Sequence, residues 1–222
     1  DVASSSGSPD ISTSPSTITE TPKLRLAATG TAFVVDKDYL LTASHVVEDC
    51  VAVSIRHSHE EIDVEVAAWD STNDLGLLKS TEPFEHTAKF RGGEGVSLSD
   101  TVINYGYPLF GELSDFAKIS KGEINSLSGM GNDSSVMQYD AATQPGNSGG
   151  PVLDLSGNVV GIVRSGHSEE PNIYFAIKSY VAEGFLSANG VGYERAESKE
   201  DLKTAEIARK AEKFTVLVGC WQ

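Results

Sequence analysis

Positive charge is scarce in this chain: 17 Lys and Arg stand against 32 Asp and Glu, leaving a formal net charge of −15 over 222 residues. Binding to phosphate backbones needs a concentrated basic surface, so DNA and RNA are not expected as partners. The acidic surplus reads as a solvated surface that favours solubility rather than as a charge-selected substrate site. Long apolar runs are also missing. No stretch approaches the roughly 18–20 residues of a membrane helix, so no transmembrane segment is expected in this chain. The first residues show neither the basic start nor the apolar run of a secretory signal. Cysteine is nearly absent. Cys50 and Cys220 are open to one disulfide, two buried thiols or two unpaired ones; a bridge would tie the far C-terminus to the first half of the chain. Two thiols without histidines at short spacing make no structural zinc site. His57-Ser58-His59-Glu60-Glu61 reads as a polar hairpin tip rather than a ligand set, so no metal and no cofactor are called for.

What is present is glycine and short alternating runs. The 21 glycines and 39% hydrophobic content suit a turn-rich, strand-rich globular protein. Residues 1–23 are rich in Ser, Thr and Pro and read as a linker or disordered arm. From residue 24 strand patterns begin: Leu24 to Val35, Tyr39 to Thr42, Val51 to Ile55, Ile62 to Val66 and Leu75 to Leu78. The Pro/Gly/charge-rich stretch 81–95 reads as the crossing between two lobes, about 24–92 and 100–187. Its glycines lack the Gly-Lys-Ser/Thr of a phosphate loop. More strands follow from Val102, and a closing helix is expected from Lys178 to about Leu186. Residues 191–222 read as a helical extension and a β-like tail, Phe214 to Val218. Its helix spans 198–214, with Ser198 as cap and Leu202, Ala205, Ala208, Ala211 and Phe214 on one face.

One stretch points to chemistry: Gln144-Pro145-Gly146-Asn147-Ser148-Gly149-Gly150-Pro151. Three glycines and two prolines around a serine fit neither a helix nor a central strand. Such a loop presents a nucleophile beside backbone N–H groups that no ladder uses, the two parts acyl transfer needs together. A serine hydroxyl also needs a base, and an imidazole base needs an orienting carboxylate. His45 follows a strand in Leu41-Thr42-Ala43-Ser44-His45-Val46-Val47. Asp63, Asp70 and Asp74 compete for the carboxylate role, and Asp74 is preferred because the apolar run Leu75-Gly76-Leu77-Leu78 starts directly after it. The order His, Asp, Ser is that of the chymotrypsin-type double barrel.

With these blocks go Gly30-Thr31-Ala32-Phe33-Val34-Val35, Gly106-Tyr107-Pro108, Asp140-Ala141-Ala142, Gly161-Ile162-Val163 and Phe175-Ala176-Ile177. In this order, over about residues 24–187, they resemble the HtrA-type (Deg-like) branch of the trypsin-like serine peptidases. The resemblance implies an all-β fold of two six-stranded antiparallel β-barrels with short C-terminal helices, and a peptidase domain over 24–190. It implies Ser148 as nucleophile, His45 as base then acid, Asp74 as orienter, and an oxyanion hole at Gly146, Asn147 and Ser148. It places Ala142 at the bottom of the primary specificity pocket, counts Thr143 among the pocket residues, and sets Arg164, Ser165, Gly166, Asn172 and Tyr174 along its walls. An uncharged base implies cleavage after small or aliphatic residues of protein or peptide substrates. Two departures matter. Asn147 replaces the aspartate that pairs with a newly cut N-terminus, so activation by N-terminal insertion is not expected. About 35 residues follow Leu186, too few for a PDZ domain within this chain. A periplasmic or secreted location is expected, with plastid lumen and cytosol left open, as is assembly into an oligomer. Two other readings remain: a protease-fold scaffold with a resting or inactive site, and another acyl hydrolase.

Overall fold

The computed structural model describes residues 24–57, 60–111, 115–166 and 172–222. The expected arm over 1–23, and Ser58 and His59 of the polar turn, lie outside the described residues.

In chain order, β1 (Leu26–Asp36) and β2 (Tyr39–Thr42) form a hairpin, followed by the short helix α1 (Ser44–Val47), β3 (Ala52–His57), β4 (Glu60–Asp70) and β5 (Leu75–Ser80). β4 alternates exposed and half-buried residues along its length, as a strand with one face on a core must. β6 (Lys89–Arg91) crosses to the second half. There β7 (Thr101–Gly106), β8 (Lys118–Ser126), β9 (Val136–Tyr139), β10 (Pro151–Leu153), β11 (Val159–Gly166) and β12 (Tyr174–Lys178) follow one another. The chain ends with α2 (Ser179–Ala188), β13 (Glu194–Ala196), α3 (Thr204–Ala211) and β14 (Thr215–Trp221).

The strands close into two six-stranded antiparallel barrels. One runs β1-β14-β3-β4-β5-β2; the other runs β7-β8-β9-β12-β11-β10 and closes through β10 on β7. β6 and β13 add parallel pairings outside β11. The second barrel is filled by Val102, Ile124, Met137, Tyr139, Val152 and Val163. A larger core joins the first barrel to the faces of α2 and α3.

The β-like tail expected at Phe214 to Val218 is a strand, β14, and its place goes beyond that of a terminal extension. β14 is the sixth strand of the first barrel, hydrogen-bonded to β1 on one side and β3 on the other. Without it both strands would carry open edges. Its residues Thr215 to Cys220 are buried, which a tail packed on a surface would not achieve. The Cys50–Cys220 disulfide joins positions 170 residues apart and fixes β14 to the segment after α1. α3 is also shorter than expected, with Ile207 and Ala211 inward and Ala205 exposed. Ser198 does not cap it: its hydroxyl donates to Asp154 Oδ2. The helix start is closed instead by the Lys203 N–H on Glu206 Oε2 (3.0 Å).

Candidate active site

The end of β2 delivers His45 on α1, and the turn between β4 and β5 delivers Asp74. Asp74 sits at φ 55°, a left-handed conformation that Asp tolerates better than most residues, and it is 7% exposed. Its Oδ1 accepts from His45 Nδ1 (2.8 Å), the His45 backbone N–H (3.1 Å) and the Ser44 hydroxyl (3.2 Å); Oδ2 lies 2.9 Å from His45 Nδ1. The other aspartates are occupied elsewhere. Asp70 accepts from the Thr72 and Asn73 N–H groups and from Asn73 Nδ2, closing its own turn, and Asp63 lies exposed on β4.

The serine loop is a β-turn closed by the Asn147 N–H on the Gln144 carbonyl (3.0 Å). Pro145 and Gly146 take its central positions, with Gly146 at φ 96°, the type II arrangement that requires glycine there. The Pro145 carbonyl accepts from the Leu109 N–H (2.9 Å). Because the peptide is planar and trans, the Gly146 N–H must point away from Leu109. The Gly146 carbonyl accepts from the Thr31 hydroxyl (2.7 Å), whose oxygen accepts in turn from the Tyr107 N–H (3.0 Å). Among the described residues the N–H groups of Gly146 and Ser148 make no hydrogen bond, whereas that of Asn147 is used by the turn. The loop is clamped on both sides, by Thr31 N–H on Ser148 C=O (2.9 Å) and by Gly149 N–H on Val163 C=O (2.8 Å). Gly30 lets α1 and the serine loop meet: a Cβ there would stand 2.6 Å from Val46 Cγ1 and 3.2 Å from the Ser148 carbonyl oxygen.

The Ser148 hydroxyl donates to the Arg164 carbonyl at 3.4 Å, and no hydrogen bond among the described residues joins it to His45. The Arg164 guanidinium turns the other way, with Nε 3.9 Å from Asp74 Oδ2. The hydrogen bond to Asp74 raises the His45 pKa above its ordinary 6.5; burial opposes this, the charges of Asp74 and Glu48 add to it, and Arg164 subtracts.

The residues assigned to a specificity pocket are distributed as follows. Ala142 is exposed and its carbonyl accepts from the Ser120 hydroxyl (2.7 Å). The Thr143 hydroxyl is turned inward, bonded with Asn104 Nδ2 (3.0 Å), Tyr139 OH (2.8 Å) and the Ala141 carbonyl (3.0 Å). Ser165 and Gly166 pair through β11 with Phe175 and Tyr174. The Tyr174 ring packs 5.9 Å from that of Tyr139. Asn172 is exposed at φ 62°. Residue-by-residue reading missed Thr31, Ser44 and Leu109. The first two lie inside blocks that were singled out, Gly30-Thr31-Ala32 and Ala43-Ser44-His45, and that was the available signal.

Comparison with known proteins gives a consistent set of similarities. Residues 30–162 match the family described as "Trypsin-like peptidase domain". Protein y4bJ of Sinorhizobium fredii is 32% identical over 93% of this chain and 35% of its own length. A probable periplasmic serine endoprotease DegP-like of Rhizobium meliloti is 36% identical over 75% of this chain and 34% of its own. The chain spans about a third of the length of the curated relatives it matches. Among solved structures, an inactive form of the Rv3671c protease of M. tuberculosis superposes with a TM-score of 0.64 at 25% identity, covering 76% of this chain and 87% of that one. The serine endoprotease from Yersinia pestis superposes at 0.63 and 24%, covering 73% and 58%, which speaks to fold alone.

Proposed function

Because this chain belongs to the trypsin-like peptidase family, we propose that it is a serine endopeptidase that cuts protein substrates through an acyl-enzyme on Ser148. One observation carries the reading: the N–H groups of Gly146 and Ser148, unbonded among the described residues, lie in a serine loop close to the helix whose imidazole a buried carboxylate holds. In the first step the Ser148 hydroxyl rotates from the Arg164 carbonyl to His45 Nε2, gives up its proton there, and Oγ attacks the scissile carbonyl. Asp74 on Nδ1 fixes the tautomer that leaves Nε2 free to accept, and it stabilises the imidazolium that forms. The N–H groups of Gly146 and Ser148 receive the oxyanion, and loss of one such donor typically costs about 10²–10³ in rate. His45 then protonates the leaving amine, and the same groups run the second half with water.

The uncharged Ala142 supports cleavage after small or aliphatic residues. The attraction of Arg164 to Asp74 supports this further, because it draws the nearby cation away from an incoming side chain. The Cys50–Cys220 disulfide supports an oxidising compartment, periplasmic or extracellular, as does the word periplasmic in the relatives' names. A second reading, a scaffold with a resting site, draws on the Ser148 hydroxyl being bonded to Arg164 rather than to His45. Incubation of wild type and Ser148→Ala with unfolded casein and a randomised peptide library separates the two. Cleavage by wild type alone, mainly after Val, Ala or Leu, is expected. Cleavage mainly after Lys or Arg removes the pocket assignment, and none by either protein favours the scaffold.

A further inference from the structure

Arg164 lies where its strand breaks register. β11 pairs Val163 with Ala176 and Ser165 with Phe175, so Arg164 is the extra residue of a bulge. Bulges of this kind re-aim a side chain beside a site. Here the side chain is aimed at the Asp74 oxygen with fewer partners. Asp74 Oδ1 accepts from Ser44 Oγ, the His45 N–H and His45 Nδ1, whereas Oδ2 has His45 Nδ1 at 2.9 Å and Arg164 Nε at 3.9 Å and no other partner among the described residues. The separation is that of an ion pair rather than a hydrogen bond. The carbonyl of the same residue receives the Ser148 hydroxyl. Arg164 therefore touches the nucleophile through its backbone and the orienting carboxylate through its side chain.

We propose that Arg164 is a positioning residue: its guanidinium holds Oδ2 of Asp74 toward the imidazole and, by opposing the carboxylate's charge, makes His45 a working base at lower pH than Asp74 alone would allow. The assignment rests on the endopeptidase reading above. It separates two effects that a lone carboxylate cannot: Asp74 orients the ring but also tightens its hold on a proton, and a cation beside Oδ2 keeps the first effect while reducing the second. The charged groups acting on His45 among the described residues are Asp74, Glu48 just after α1 and Arg164 on β11. The two carboxylates favour the imidazolium, and the guanidinium disfavours it. Asp133, after the turn at Met130–Asn132, is held low mainly by its Ser135 hydrogen bonds and also feels the Arg164 charge. The Arg164 side chain is 37% exposed and that of Asp74 10%, so solvent screens the pair in part. Partly exposed pairs of this kind alter an equilibrium by about two- to fivefold.

The test compares wild type, Arg164→Gln and Arg164→Lys by the second-order rate of labelling with an uncharged fluorophosphonate between pH 5 and 9, with Ser148→Ala as the blank. A proton NMR titration of the His45 imidazole, which needs no turnover, accompanies it. Arg164→Gln is expected to move the rising limb to higher pH, lowering the rate at pH 6 relative to its own plateau by about two- to fivefold. Its imidazole should titrate at higher pH as well. Arg164→Lys keeps the charge and should stay nearer to wild type. An unmoved limb and titration in Arg164→Gln, whether the overall rate holds or falls uniformly, overturns the assignment. A changed KM for acidic peptides with an unmoved limb also overturns it and makes Arg164 a substrate-binding residue instead. Wild type that shows no Ser148-dependent labelling at any pH removes the endopeptidase reading instead, a result distinct from either.

Discussion

Replacing Thr31 by valine tests how the oxyanion turn is held. Thr31 is fully buried, and its hydroxyl links two backbone groups from distant segments, donating to the Gly146 carbonyl and accepting from the Tyr107 N–H. Valine keeps the shape and removes both bonds. A buried polar group left unpaired costs about 1–3 kcal/mol. The Gly146 carbonyl is buried and bears the full cost, whereas half-buried Tyr107 recovers part of its own from water, so the sum is about 2–4 kcal/mol. For a chain of this size that lowers the melting temperature by about 4–16 °C. The second effect is on rate. Freed of the Thr31 bond, the Gly146–Asn147 peptide keeps only the Asn147 N–H on Gln144, and the adjoining Pro145–Gly146 peptide is left with the Leu109 contact alone to set the direction of its N–H. A misplaced donor of this kind costs up to about 10²–10³, so labelling by a fluorophosphonate should slow by about tenfold or more. Thr31→Ser keeps the hydroxyl and should label within about threefold of wild type, because both hydrogen bonds survive. Thermal unfolding by circular dichroism and labelling rates on the three proteins provide the comparison. If Thr31→Val melts within about 2 °C of wild type and labels as fast, the bridge does not hold the turn and the reasoning is wrong.

Two further outcomes follow from the same structure. Removing the Cys50–Cys220 bridge by paired alanine replacement should lower stability by about 2–5 kcal/mol, because the link closes a very long loop; an unchanged urea midpoint would contradict that. The rate should rise with pH through an inflection above 6.5, since His45 must lose its proton to act as base and its hydrogen bond to Asp74 raises its pKa. The same group stabilises the fold fully below its unfolded value of about 6.5, and that contribution is lost as pH rises through the raised folded value. Melting curves and rates from pH 5 to 9 check both signs, and an inflection at or below 6.5 counts against the Asp74 contact.

Much of the architecture is written in local patterns. The alternation along β4 and the apolar runs of β2 and β5 announce strands, and the sequence order of the His45, Asp74 and Ser148 blocks points to two barrels. The Asp74–His45 contact could be anticipated because an apolar strand begins right after Asp74 and pins that carboxylate at the edge of a core. β14 was not legible as a barrel strand, because nothing local to Thr215–Trp221 says that its neighbours are β1 and β3, more than 150 residues earlier. The Cys50–Cys220 bridge, one of the pairings that two cysteines leave open, depends on the same closure. The resemblance assigns Arg164 to a pocket wall; the contact of its guanidinium with Asp74 goes with the bulge at this position, which no local pattern announces. The resemblance likewise assigns Thr143 to the pocket; the bonds of its hydroxyl to Asn104 and Tyr139 are to partners that become neighbours only when β7 and β9 join one barrel.

The central claim is that Ser148 is a nucleophile activated in this loop. Treatment of the folded protein with a fluorophosphonate, followed by peptide mass spectrometry, tests it most directly. The account predicts one adduct, on Ser148, that is lost in His45→Ala and absent in Ser148→Ala. Labelling at another serine, or none on Ser148 while the protein remains folded, would contradict it.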